Sequence, residues 1–147
     1  MYTGIYNATA TMNPEKAYDV MAATCPSRTV LHRIGARWTV FVVTALAPGP
    51  KRFSELKARI RGITAKALTE TLRAMEYDGL ISRTSRGGNP PHVEYALTPL
   101  GRSLLVPLGA VREWAETHVP DIERARTVAD ASRAREASAP TPAPPGR

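Results

Sequence analysis

The stretch "ITAKALTETLRAMEYDGL", residues 63–80, decides the fold. Leu68, Leu72 and Met75 recur at helical spacing and mark one apolar face. Thr64 stands where an N-cap belongs, and Gly79 closes the helix because glycine accepts left-handed backbone. Two features do not suit an ordinary surface helix. Its front half carries Thr64, Lys66, Thr69 and Thr71, three of them β-branched and middling helix formers. Its end holds Glu76 and Asp78, where the helix dipole opposes negative charge.

The flanks give the helix a context. Upstream, "KRFSELKARIRG" at 51–62 predicts a helix with Phe53, Leu56 and Ile60 on one face and Gly62 as its stop. A turn at Arg61 to Ile63 gives the pair helix-turn-helix dimensions. Downstream, "LISRTS" at 80–85 and "HVEYAL" at 92–97 alternate as short antiparallel strands do, joined by "RGGNPP". A two-stranded ribbon directly after the second helix is the arrangement of a winged helix. The expected fold is mainly α with a small antiparallel β wing, an α+β winged helix-turn-helix with dimerisation helices.

The rest of the chain frames that unit. A helix is expected from Pro14 through Ala17, Val20 and Met21, broken by "TCPSR". Ser27 caps the next, through Val30, Leu31 and Ile34, and Gly35 separates it from a buried helix with Trp38, Phe41, Val42, Ala45 and Leu46. "APGP" at 47–50 stops it. Thr98 caps a helix with Pro99 at its first position, running to Trp114 with kinks at Pro107 and Gly109. Beyond Pro120 a short charged helix gives way to a Pro/Ala-rich, disordered tail. This divides the chain into 1–24 (arm or helix), 25–118 (winged domain) and 119–147 (charged helix or linker with tail). Trp38, Tyr95 and Trp114 are read as packing residues, and His32 as a packed or surface histidine.

Composition narrows the function. At 147 residues and 43% hydrophobic content, one globular domain is expected. The longest apolar run, "WTVFVVTALA" at 38–47, has about half the length of a membrane span. The first residues lack a signal-peptide pattern, so a cytoplasmic protein without a membrane partner is expected. One cysteine, Cys25, and three scattered histidines give no metal site; no cofactor and no enzymatic activity are expected. The net charge is +7, and its distribution is uneven. Residues 51–102 hold ten Lys/Arg against five Asp/Glu, whereas residues 103–147 hold six against six. A basic middle points to an anionic partner.

In a DNA-binding winged helix the second helix enters the major groove with its N-terminal residues leading. Thr64, Ala65, Lys66 and Thr69 fit that role: they are slim, polar, and near a helix N-terminus that favours phosphate. Glu70 and Arg73 continue the same face. Arg52, Lys57, Arg59 and Arg61 surround the turn as candidate phosphate contacts, and Arg86 and Asn89 extend the wing toward flanking backbone or minor groove.

The chain resembles the HxlR family of bacterial winged helix-turn-helix transcriptional regulators, relatives of the MarR group. The resemblance rests on "CP" at 25–26, "IGARWT" at 34–39, "RFSELKARIRGIT" at 52–64, "LTETLRAMEYDGLISRT" at 68–84, "PPHVEYALTPLGRSLLVPL" at 90–108 and Trp114. It implies a homodimeric repressor on a partly palindromic operator in double-stranded DNA, dimerised through its N-terminal region and last helix. It also implies a redox or electrophile response through Cys25, or a small-molecule effector that no residue identifies. Ala65 stands where the family often carries proline, and Glu70 and Thr71 where glutamine and arginine are common. Glu70 is either a cytosine reader or an objection to the docking pose. The competing reading is a winged-helix protein–protein module without sequence-specific DNA binding.

Overall fold

A computed structural model describes residues 18–138. Six helices are described: α1 (Pro26–Ile34), α2 (Thr39–Leu46), α3 (Phe53–Arg59), α4 (Ala65–Tyr77), α5 (Pro99–Arg102) and α6 (Leu105–Ser138). Three strands, β1 (Lys51–Arg52), β2 (Ile81–Arg86) and β3 (His92–Leu97), form one antiparallel sheet in the order β1-β3-β2. The expected α+β winged helix-turn-helix is the observed fold. Val42, Leu46, Leu56, Leu68, Leu72, Met75, Ile81 and Leu97 make a common core beneath α4. The apolar face read from the sequence of α4 is therefore the face that is buried.

Local chemistry places α4. The Thr64 hydroxyl accepts from the Ala67 N–H at 3.1 Å, so the helix starts where the cap was expected. Gly62 and Gly79 have φ of 84° and 72°, left-handed values that let the chain turn sharply before and after α4. The wing follows at once. β2 and β3 pair from Ile81↔Leu97 out to Arg86↔His92. Thr98 locks the wing's base: its N–H reaches the Leu80 carbonyl (3.1 Å), and its hydroxyl donates to the Gly79 carbonyl (2.6 Å). That hydroxyl also accepts from the Gly101 N–H (3.1 Å), capping α5.

Several expectations give way. Lys51 and Arg52 are not helical but form β1, in register with Tyr95 and Glu94. Cys25, not Ser27, is the N-cap of α1, because Pro26 occupies the first turn. Val20 and Met21 lie in turns, with the Met21 N–H on the Asp19 carboxylate at 2.9 Å; Pro14 and Ala17 fall outside the described residues.

The largest difference concerns the C-terminal helices. The chain breaks at Ser103–Leu104, between α5 and α6, and not at Pro107 or Gly109. Pro107 is the third residue of α6, where N–H groups have no intrahelical partner and proline is tolerated. Pro120 lies inside α6, which runs unbroken for 34 residues, so 119–138 continue the helix instead of starting a linker or a separate one. Ion pairs Asp121–Arg124 and Asp130–Arg133 along its exposed surface support the extension. Of the Pro/Ala-rich tail expected to be disordered, Ala137 and Ser138 still belong to α6, and the residues from 139 onward lie outside the described residues.

Candidate nucleic-acid interface

The leading face of α4 is exposed while its opposite side is core. Thr64, Ala65, Lys66, Glu70 and Arg73 are exposed and Thr69 is half-buried. Lys66 stands three and four residues before Thr69 and Glu70, and these stand four and three before Arg73, so the four share a face. Thr64's oxygen satisfies Ala67, and among the described residues nothing bonds the N–H groups of Ala65 and Lys66. These two donors, with the positive end of the dipole, point out of the protein at the helix start.

The threonines are less free than their sequence suggests. Thr69 Oγ1 donates to the Ala65 carbonyl and Thr71 Oγ1 to the Ala67 carbonyl, each at 2.8 Å. Their hydroxyl protons are thus committed to the helix backbone. What Thr69 still offers is its oxygen lone pairs and its methyl group, suited to a base amino group or a thymine methyl. Lys66 Nζ lies 4.0 Å from Glu70 Oε1, with both side chains mostly exposed. A pair so solvated is weak, and either partner can turn to another ligand.

The sheet separates the remaining basic residues. Cross-strand partners share a face. Arg52, Glu94 and Thr84 line up on one face, and Arg86 reaches Glu94 at 3.8 Å on that same face. Lys51, Tyr95 and Arg83 occupy the other. Arg83 and Tyr95 join Thr69, Leu72, Arg73 and Glu76 around a cleft of about 360 Å³ between α4 and the wing. Arg83 was not singled out from sequence, and Tyr95 was read there only as a packing residue. Strand periodicity carried the signal for Arg83, since it lies two residues from the buried Ile81 and so on its side of the sheet. Asn89 is exposed in the loop joining β2 and β3.

Arg59 and Arg61 stand elsewhere. They line a second, larger cleft of about 840 Å³, walled by α2, the end of α3 and α6. Lys57 is exposed on α3. Glu76 shares the wing-side cleft with two arginines, and Asp78 is paired with Arg33 of α1. The arrangement at α4 is therefore a slim, donor-rich leading face flanked by guanidinium groups.

Cys25 lies at the start of α1, half-buried, with its Sγ 2.9 Å from Ser27 Oγ. The Ser27 hydroxyl holds the thiol below its ordinary pKa, against a smaller opposing effect of burial. Trp38 packs against the core as expected, with Arg37 over its ring at 4.7 Å. Trp114 is instead 54% exposed and stacks on His118 at 4.8 Å. His32 is exposed.

A helix-turn-helix with an exposed leading face and a β wing defines a winged-helix transcriptional regulator. A family model, HxlR-like helix-turn-helix, matches residues 33–123, and the chain belongs to that family. The uncharacterized HTH-type transcriptional regulator YtfH of Escherichia coli (strain K12) is 40% identical over 107 residues, covering 73% of this chain and 85% of that protein. The solved structure of ytfH from Salmonella typhimurium superposes with a TM-score of 0.69 at 39% identity, covering 75% of this chain and 98% of that one. The reduced form of the redox regulator HypR superposes with a TM-score of 0.62 at 34% identity, covering 67% and 98%. Among the described residues no helix is long and apolar enough to cross a membrane.

Proposed function

We propose that the chain is a homodimeric repressor that binds a partly palindromic operator, with α4 in the major groove. The observation that carries this reading is the exposed start of α4: two unbonded backbone N–H groups beside Lys66, Thr69, Glu70 and Arg73. In this pose Thr64, Ala65, Lys66, Thr69 and Glu70 approach base edges and the first phosphate. Arg73 and Arg83 flank the backbone between helix and wing, while Arg52, Arg86 and Asn89 meet it on the far side of the wing.

Dimerisation uses α1 and the outer face of α6. Val30 and Leu31 on α1, and Val106, Trp114 and Val128 on α6, are large apolar side chains more than half exposed in the single chain. A stable dimer covers such groups, and its two-fold axis sets operator half-sites about one helical turn, or a multiple of it, apart. The winged domain spans 25–118, with 119–138 as an extension of its dimer helix, and the protein works in the cytoplasm.

Cys25 serves as a thiol switch. Its lowered pKa, its place at a helix N-terminus, and the likeness to the redox regulator HypR support this. Selection of duplexes from a random pool by the purified dimer tests the reading. Enrichment of a two-fold symmetric sequence supports it. No enrichment at low salt, with an intact dimer, would favour a protein–protein module instead.

A further inference from the structure

Among the described residues, one side-chain ion pair or hydrogen bond joins α4 or its C-cap to another helix, and it is Arg33–Asp78. Arg33, next to last in α1, is not a loose surface side chain. Its backbone carbonyl accepts from the Thr39 hydroxyl at 3.0 Å and from the Ala36 N–H at 3.2 Å. Thr39 is buried at the start of α2, so the stem of Arg33 is fixed to the domain. The guanidinium lies 5.6 Å from the centre of the ring of Tyr77, the residue before Asp78. A planar cation set against a ring and a carboxylate together is oriented as well as neutralised.

This contact stands at the opposite end of α4 from the face assigned to DNA. The helix has 13 residues, so its ends are about 18 Å apart along the axis. Leu68, Leu72 and Met75 bury one side of that length. Hydrophobic burial is non-directional and does not single out one tilt or rotation as a hydrogen-bonded ion pair does. The bonds of Thr69, Thr71 and Lys66 stay within α4 and cannot orient it against the domain. A tilt of about 5° about the capped end moves the leading residues by about 1.5 Å over this length. Recognition groups must hold their place to within about 0.5 Å.

We propose that Arg33 is the positioning residue of α4: it sets the tilt of the helix from its C-cap, and so the register of the leading face on base edges, while touching no DNA itself. The consequence for binding rests on the operator reading above. Base contacts need aligned hydrogen bonds, whereas a cation beside a phosphate tolerates a small displacement. Losing the Arg33 contact therefore weakens the operator complex and spares non-specific binding. A contact that served stability alone acts differently. A less populated folded state weakens binding to every duplex by the same factor.

The test is fluorescence-anisotropy titration of the full-length protein against the selected operator duplex and a random duplex of equal length. Arg33→Gln and Asp78→Asn should each weaken operator binding by about tenfold, the loss of one base contact, and leave the random duplex unchanged. The double variant should bind no more weakly than either single one. Arg28→Gln, at an exposed arginine of α1 outside this contact, should alter neither duplex. Amide NMR of the DNA-free protein addresses the same point without an operator: Arg33→Gln should shift the Ala65 and Lys66 signals at the far end of α4. An equal loss on both duplexes overturns the proposal, as does unchanged operator binding in both single variants or an equal effect of Arg28→Gln. Amide shifts confined to Tyr77 and Asp78 overturn it too. A wild-type protein that prefers no duplex sinks the operator reading instead, and the amide shifts then decide whether Arg33 positions α4.

Discussion

Arg33 on α1 donates to the carboxylate of Asp78, the C-cap of α4, across 45 residues of sequence, and its guanidinium lies 5.6 Å from the centre of the Tyr77 ring. This contact explains the acid at the unfavourable end of α4. The negative charge that the helix dipole opposes is met by a cation from α1, tying α1 to α4. Asp78→Asn removes the charge and keeps the shape. Because both groups are partly exposed, the expected loss is modest, roughly 1 kcal/mol by urea denaturation. The same loss should appear in Arg33→Gln and should not add in the double variant. Full additivity would show that the two side chains act separately.

Gly101 is a steric requirement. A Cβ built on it would stand 1.9 Å from the Leu80 carbonyl oxygen, which already accepts from Thr98. Gly101→Ala must therefore push α5 off the base of the wing. A loss of about 3 kcal/mol is expected, at the upper end of overpacking effects, read as a lower melting temperature. Gly87→Ala, with open space around its Cβ position, serves as the comparison and should change little.

Cys25 should react as a thiol of lowered pKa. The hydrogen bond from Ser27 favours the thiolate in the folded state. Iodoacetamide alkylation should rise with pH around a midpoint below that of an unperturbed thiol, and Ser27→Ala should move that midpoint up. The sign for stability follows from the same shift. With the folded pKa below the unfolded one, the contribution is full above the unfolded value and is lost as pH falls through the folded value. A midpoint indifferent to Ser27→Ala would show that the hydroxyl does not set it.

Glu70 has a definite test. On the exposed face beside Lys66, its carboxylate can accept from a cytosine amino group. Glu70→Gln presents both a donor and an acceptor, the pattern that suits adenine. Duplex selection with this variant should change the preferred base at one position in each half-site, by about 1–3 kcal/mol of discrimination. An unchanged consensus would show that Glu70 reads no base.

What the sequence disclosed and what it hid have separate physical causes. The Thr64 cap, the Leu68–Leu72–Met75 face, the Gly79 stop and the alternating wing strands are local, and local spacing revealed them. β1 is only two residues long, too short for any period, and exists because β3 offers it a partner. The unbroken α6 contradicts a local rule: Pro120 removes one backbone hydrogen bond, and the remaining turns with their Asp–Arg pairs carry the helix past it. At the candidate interface, the Thr64–Arg73 face was legible because one helix supplies it. Arg83 beside Arg73, and Arg59 with Arg61 on another wall, depend on how the helix, wing and α6 pack, which no spacing in one segment encodes.

The central claim is that the start of α4 meets DNA phosphate and bases. Its most direct test is the salt dependence of binding to the selected duplex, measured for the wild-type protein and Lys66→Ala. Phosphate neutralisation releases counterions, so the wild-type logarithmic plot should fall steeply. Lys66→Ala should fold as the same dimer, bind more weakly, and lower the slope by about one. A wild-type affinity independent of salt, or a Lys66→Ala plot superimposable on that of the wild type, would contradict the account.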